Sequence, residues 1–107
     1  MAHKKIVEGL LKFQQAVRKE TPITKMYLFG SRVWGKSHKD SDIDILVVSP
    51  SFRFQKSFKR GVHFYKYWDL KYPVDFLCYT PKEFERFKKS IALVKQVVEK
   101  GIEIKKR

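Results

Sequence analysis

The sequence predicts one small α/β domain, a mixed sheet of about four strands packed with helices. Residues 23–29, 42–48, 72–79 and 102–104 are short runs rich in β-branched and aromatic side chains, most of them bounded by Pro, Gly or Ser, which is the pattern of strands. The segments around them instead repeat large apolar residues every three or four positions, as helices with one buried stripe do. A chain of 107 residues can close one core and not two, so a single domain spanning residues 1–107 is expected.

Ile6, Leu10, Phe13 and Val17 set the stripe of an amphipathic helix over residues 4–19, ended by Thr21 and Pro22. In the first strand Met26 and Leu28 fall on one face and Tyr27 and Phe29 on the other, so both faces should be covered. A short helix over 31–34 and a polar loop, GKSHKDS, lead to the second strand. Residues 51–72 then carry half of the chain's aromatic residues among Arg53, Lys56, Lys59, Arg60, Lys66 and Lys71. Much of this segment reads as helix, with Phe54, Phe58, Val62, Tyr65 and Trp68 as the buried stripe and Gly61 kinking or dividing it. That assignment leaves Phe52, Phe64 and Tyr67 on other faces, where aromatics among cations could grip single-stranded nucleic acid or a nucleobase.

In residues 72–79, Val74, Phe76 and Cys78 share one face and Asp75, Leu77 and Tyr79 the other; Cys78 reads as a small buried apolar residue. Thr80-Pro81-Lys82-Glu83 has the form of a capping box opening a helix whose stripe is Phe84, Phe87, Ile91, Val94 and Val98. Gly101 stops that helix, residues 102–104 make the last strand, and a frayed basic tail closes the chain.

Lys and Arg number 24 against 11 Asp and Glu, a net charge of +13 that attracts polyanions or an acidic protein face. A single cysteine rules out an internal disulfide. No run approaches the length of a membrane span, and the charged start MAHKK leads into no signal-type apolar stretch, so a cytoplasmic protein without a membrane partner is expected.

The chemistry concentrates in residues 27–48, YLFGSRVWGKSHKDSDIDILVV. Gly30 has no side chain to obstruct an anion, and Ser31 offers a hydroxyl at a helix start, so the pair suits phosphate. Ten residues later come Asp42 and Asp44, two apart on a strand and therefore on one face. Two carboxylates facing a phosphate cradle suit Mg²⁺, which is commonly held by one or two carboxylates plus substrate phosphates. Taken singly, Gly-Ser is often only a turn and Asp only a cap. His38 and Asp40 in the polar loop read as solvated or capping residues.

Gly30-Ser31, ten residues, then Asp42-Ile43-Asp44 resembles the signature of the minimal nucleotidyltransferases, a branch of the DNA polymerase beta-like superfamily. Arg32 and Gly35 match further positions of that pattern. The resemblance implies the nucleotidyltransferase fold and a nucleotide site at Gly30, Ser31 and Arg32. It also implies divalent metal on Asp42 and Asp44, with Asp75 as the third carboxylate, helping to activate the attacking hydroxyl. Mg²⁺-dependent transfer of a nucleoside monophosphate, AMP from ATP, to a hydroxyl acceptor is the implied activity. Such minimal members often act as antitoxins that adenylylate a tyrosine of a HEPN-class toxin, so a HEPN-family toxin is the expected partner. Two alternatives stay open: a basic RNA-binding or toxin-masking module without catalysis, and transfer to an RNA end or a small molecule.

Overall fold

The computed structural model describes the backbone of residues 2–35 and 42–105, with side chains from Lys4 onward. The polar loop, including His38 and Asp40, and the last two residues of the tail lie outside the described residues. Helix α1 (Ala2–Val17) precedes β1 (Lys25–Phe29), the short α2 (Ser31–Trp34) and β2 (Ile43–Val48). After an irregular segment come β3 (Val74–Tyr79), α3 (Pro81–Ser90), α4 (Ala92–Lys100) and β4 (Ile102–Glu103). The strands form one mixed sheet in the order β3-β2-β1-β4. β1 runs antiparallel to β2 and β4, and β2 runs parallel to β3.

Alternation along the strands divides the core into two layers. Met26, Leu28, Ile43, Ile45, Val47 and Val74 meet Ile6, Leu10, Phe13 and Val17 of α1, the stripe expected from the sequence. Tyr27, Phe29, Leu46 and Val48 meet Phe84 of α3 and Val94 and Val97 of α4 on the opposite face. Each fully buried side chain of this kind contributes about 1.5–3 kcal/mol by leaving water. Gln14, buried on α1, donates from its amide to the Ile104 carbonyl (2.7 Å) and so ties the end of the chain to the first helix.

Residues 50–67 depart from expectation. They are not a helix with one stripe but three 3-10 helices, Pro50–Phe54, Ser57–Lys59 and Val62–Tyr67. Phe52 and Phe64, expected on other faces, are fully buried, while Phe54 and Phe58, expected in the core, are 78% and 74% exposed. Val62 and Tyr65 are exposed as well. A 3-10 helix repeats every three residues and runs only a few residues before ending, so no stripe of helical period can continue through three of them. Gly61 takes a left-handed conformation (φ 79°) between the second and third, and a Cβ there would come within 2.9 Å of the Cys78 sulfur. The segment therefore lies directly on β3.

Arg60 fixes it there. Its guanidinium donates to Phe52 O (3.1 Å), to Cys78 O (3.3 Å) and to both carboxylate oxygens of Glu83 (2.7 and 3.3 Å). The Tyr65 hydroxyl donates to Val74 O (3.3 Å). Ser49 N–H donates to Tyr79 O and Ile43 N–H to Pro73 O, so the odd-numbered carbonyls of β3 face β2 and those of Val74 and Cys78 face outward. Two side chains thus occupy the open edge of the sheet.

The capping box forms as expected: the Thr80 hydroxyl accepts from Glu83 N–H (3.1 Å) and the Glu83 carboxylate from Thr80 N–H (2.9 Å). The helix does not continue unbroken to Gly101, however. Ile91 is extended (φ −110°, ψ 118°) and separates α3 from α4. The break shifts the phase of the stripe, burying Val94 and Val97 and leaving Ile91 and Val98 exposed, both of which the sequence pattern places inside.

Candidate active site

Asp44 lies near the start of β2 and is flanked on both sides. Across the antiparallel pair it stands opposite Phe29, the last residue of β1, and across the parallel pair opposite Asp75 of β3. The three residues therefore share a row across the sheet, on the face that α3 and α4 cover farther along at Leu46 and Val48. Cover is incomplete at this end, where Asp42 and Asp75 are exposed and Asp44 is half-buried.

Because Phe29 pairs with Asp44, the next residue of the chain, Gly30, turns against the Asp44 carboxylate. Its backbone (φ 84°, ψ −157°) occupies a region open essentially to glycine alone. A Cβ built on it would collide with the Asp44 carboxylate oxygen. Glycine is thus required twice, for conformation and for approach. The main chain then enters α2, with Val33 and Trp34 N–H both bonded to Gly30 O (2.9 and 3.1 Å), and Ser31 is exposed at its first position. Gly30→Ala is expected to cost about 1–3 kcal/mol from backbone strain alone. It should also displace the carboxylate, and urea unfolding of the two proteins checks the stability loss.

Burial raises the Asp44 carboxyl above the ordinary carboxylate range, and the negative charges of Asp75 and Asp42 raise it further. A cation placed among these groups would relieve both effects, so the donor set, three carboxylates, fits a hard, oxygen-seeking divalent ion. Among the described residues no cluster of three or more His, Cys, Asp or Glu side chains is arranged as a ready-made cage. An ion here would take further oxygens from substrate, which is the usual manner of Mg²⁺.

Arg32 follows Ser31 on α2. It is buried, with its guanidinium 4.3 Å from the centroid of the Tyr72 ring. Both residues line a cavity of about 320 Å³ with Lys5, Ile6, Asp69 and Leu70. The cavity lies on the α1 side of the sheet, where Ile6 and Tyr72 pack, whereas Asp44 and Asp75 share the opposite face; the bond from Ile43 N–H to Pro73 O (2.8 Å) sets Pro73, next to Tyr72, beside Ile43. Tyr72 is the neighbour sequence reasoning misses, since no periodicity relates a residue of α2 to one forty positions later. Cys78 is no nucleophile at neutral pH, because burial pushes its thiol up to about 12.

The sequence from residue 10 to residue 103 matches the model of the nucleotidyltransferase domain. The chain belongs to that family. Nucleotidyltransferase domains generally use nucleoside triphosphates and divalent metals, in keeping with a glycine turn set against paired carboxylates. A Sulfolobus solfataricus protein described as a "putative nucleotidyltransferase" superposes with a TM-score of 0.61 at 25% identity, over 77% of this chain and 73% of that one. A second solved structure described in the same words gives a TM-score of 0.48 at 24% identity, over 98% of this chain and 100% of that one. Comparison with curated proteins gives no match. No helix among the described residues of this nucleotidyltransferase domain is long and apolar enough to cross a membrane.

Proposed function

We propose that this single domain transfers a nucleoside monophosphate, AMP from ATP, to a hydroxyl acceptor on a partner molecule. The observation that carries this reading is the meeting of three separate parts of the chain: the Gly30 turn against Asp44, and Asp75 beside Asp44 on the next strand. Asp42 and Asp44 would hold a divalent cation, Mg²⁺ by the resemblance, which when bound offsets the triphosphate charge and polarises the α phosphorus. The Gly30 turn and the Ser31 hydroxyl hold the β and γ phosphates. Arg32 contributes positive charge from the cavity wall. Asp75, exposed on β3, accepts the proton of the acceptor hydroxyl. The acceptor oxygen bonds to the α phosphorus as the bond from that phosphorus to the bridging oxygen breaks, and pyrophosphate leaves. Positioning and charge do most of the work in such chemistry, so a domain of this size can perform it.

The acceptor in this reading is a tyrosine of a HEPN-family toxin, which makes the chain the antitoxin of a toxin–antitoxin pair in the cytoplasm. The family resemblance supports it, and the +13 charge suits an acidic partner face. RNA contact is a second reading, supported by the aromatics exposed among cations at residues 53–66.

The test is incubation with Mg²⁺ and each nucleoside triphosphate labelled at the α phosphate, with the chain alone, with RNA, and with a co-encoded HEPN protein. Label on one acceptor, lost when Mg²⁺ is removed and in Asp42→Asn and Asp44→Asn, supports metal-dependent transfer and identifies the acceptor. No label anywhere, with partner or RNA binding intact, replaces it with a binding module on an inherited fold.

A further inference from the structure

We infer that residues 53–66 form a docking surface for single-stranded nucleic acid, independently of whether the carboxylate site transfers nucleotides. The first ground is that two phenylalanines, Phe54 and Phe58, stand almost fully in water on a segment that is otherwise firmly held. Phe52 and Phe64 are driven into the core, Arg60 is fixed by Phe52, Cys78 and Glu83, and Tyr65 is tied to Val74. These anchors hold the segment on the sheet with both rings turned to solvent, which lowers the ordering cost of binding flat partners.

The second ground is the company these rings keep. The Arg53 guanidinium lies 4.6 Å from the Phe54 ring centroid and the Lys59 ammonium 6.0 Å from that of Phe58, with Lys56 exposed between them. No acid occurs between residues 51 and 68. Each ring has a cation over it and is otherwise open to solvent, and exposed aromatics among cations match the alternation of flat bases and phosphates along an unpaired strand, which proteins grip by stacking and charge together. Lysine is depleted at the centre of protein–protein interfaces, so a surface built on Lys56 and Lys59 as well as arginine favours nucleic acid over an acidic protein. A duplex hides its base faces and could use only the charge.

Fluorescence anisotropy of the whole chain with a short labelled single-stranded RNA, and with the same sequence as duplex, tests this. The double variant Phe54→Ala/Phe58→Ala is expected to weaken single-strand binding by about 30-fold or more, from the known range for losing two stacked bases. Lys56→Gln/Lys59→Gln should flatten the dependence of binding on salt by releasing fewer counterions. Both sites are exposed, so thermal melts should match the parent. Lys95→Gln/Lys100→Gln, an equal charge loss on α4, should change binding far less. The inference is overturned by equal affinity for duplex, by parent-like binding in the phenylalanine variant, or by an equal loss in the α4 variant. It is also overturned if the surface ignores RNA and binds an acidic peptide in a phenylalanine-dependent way.

Discussion

Asp44→Asn is expected to lose transfer and gain stability. Groups that merely support a metal ligand cost about 10- to 100-fold when changed, and Asp44 is proposed as a ligand itself, so a loss beyond about 100-fold is expected in the labelled-nucleotide assay. The stability change follows from the position of the carboxylate in the row with Phe29 and Asp75. Its carboxyl is raised by burial first and then by Asp75 and Asp42. An acid raised in the folded state binds protons there that the unfolded chain has already released, so stability falls as pH rises from the ordinary Asp range through the raised value. Above that value the full penalty is present, and the uncharged Asn escapes it. The melting temperature at pH 7 should therefore exceed the parent's in metal-free buffer, and the gap should close in acid where Asp44 is protonated. An Asn variant that melts lower at pH 7 would contradict the electrostatic account.

Phe64→Ala and Phe58→Ala should differ in unfolding free energy by about 3–5 kcal/mol. Phe64 is fully buried, edge-on to Phe13 and Phe76 at ring separations of 6.2 and 5.5 Å, and its truncation is expected to cost about 3–5 kcal/mol. Phe58 is 74% exposed, and its truncation should stay within about 0.5 kcal/mol. A continuous helix with Phe58 in its stripe requires the opposite ranking. Urea unfolding of the two variants decides between the arrangements.

This contrast also shows where the sequence is legible. The stripe of α1, the two-sided strands and the Thr80–Glu83 capping box follow from local rules that long or strongly patterned elements obey, and the structure has all of them. Alternation alone places Asp75 and Asp44 on matching faces, and the parallel pairing sets them side by side. The 3-10 segment is different. Its aromatics satisfy a helical and a three-residue period equally well over such short pieces, and contacts with Cys78 and Glu83 choose between them. The break at Ile91 carries no Gly or Pro to announce it. The approach of Gly30 to Asp44 depends on the register of β1 and β2, which no local pattern encodes, and the stacking of Arg32 on Tyr72 depends on the packing of distant segments.

The side chains of Arg60 and Tyr65 on the outward carbonyls of β3 have a consequence for how the molecule behaves in a crowd. An uncovered outer strand invites identical strands from other copies to add on, the first step of fibrous aggregation. Capping the rim with two side chains answers that hazard: β3 remains the outer strand, with Asp75 exposed on it, yet presents a poor template for its own kind.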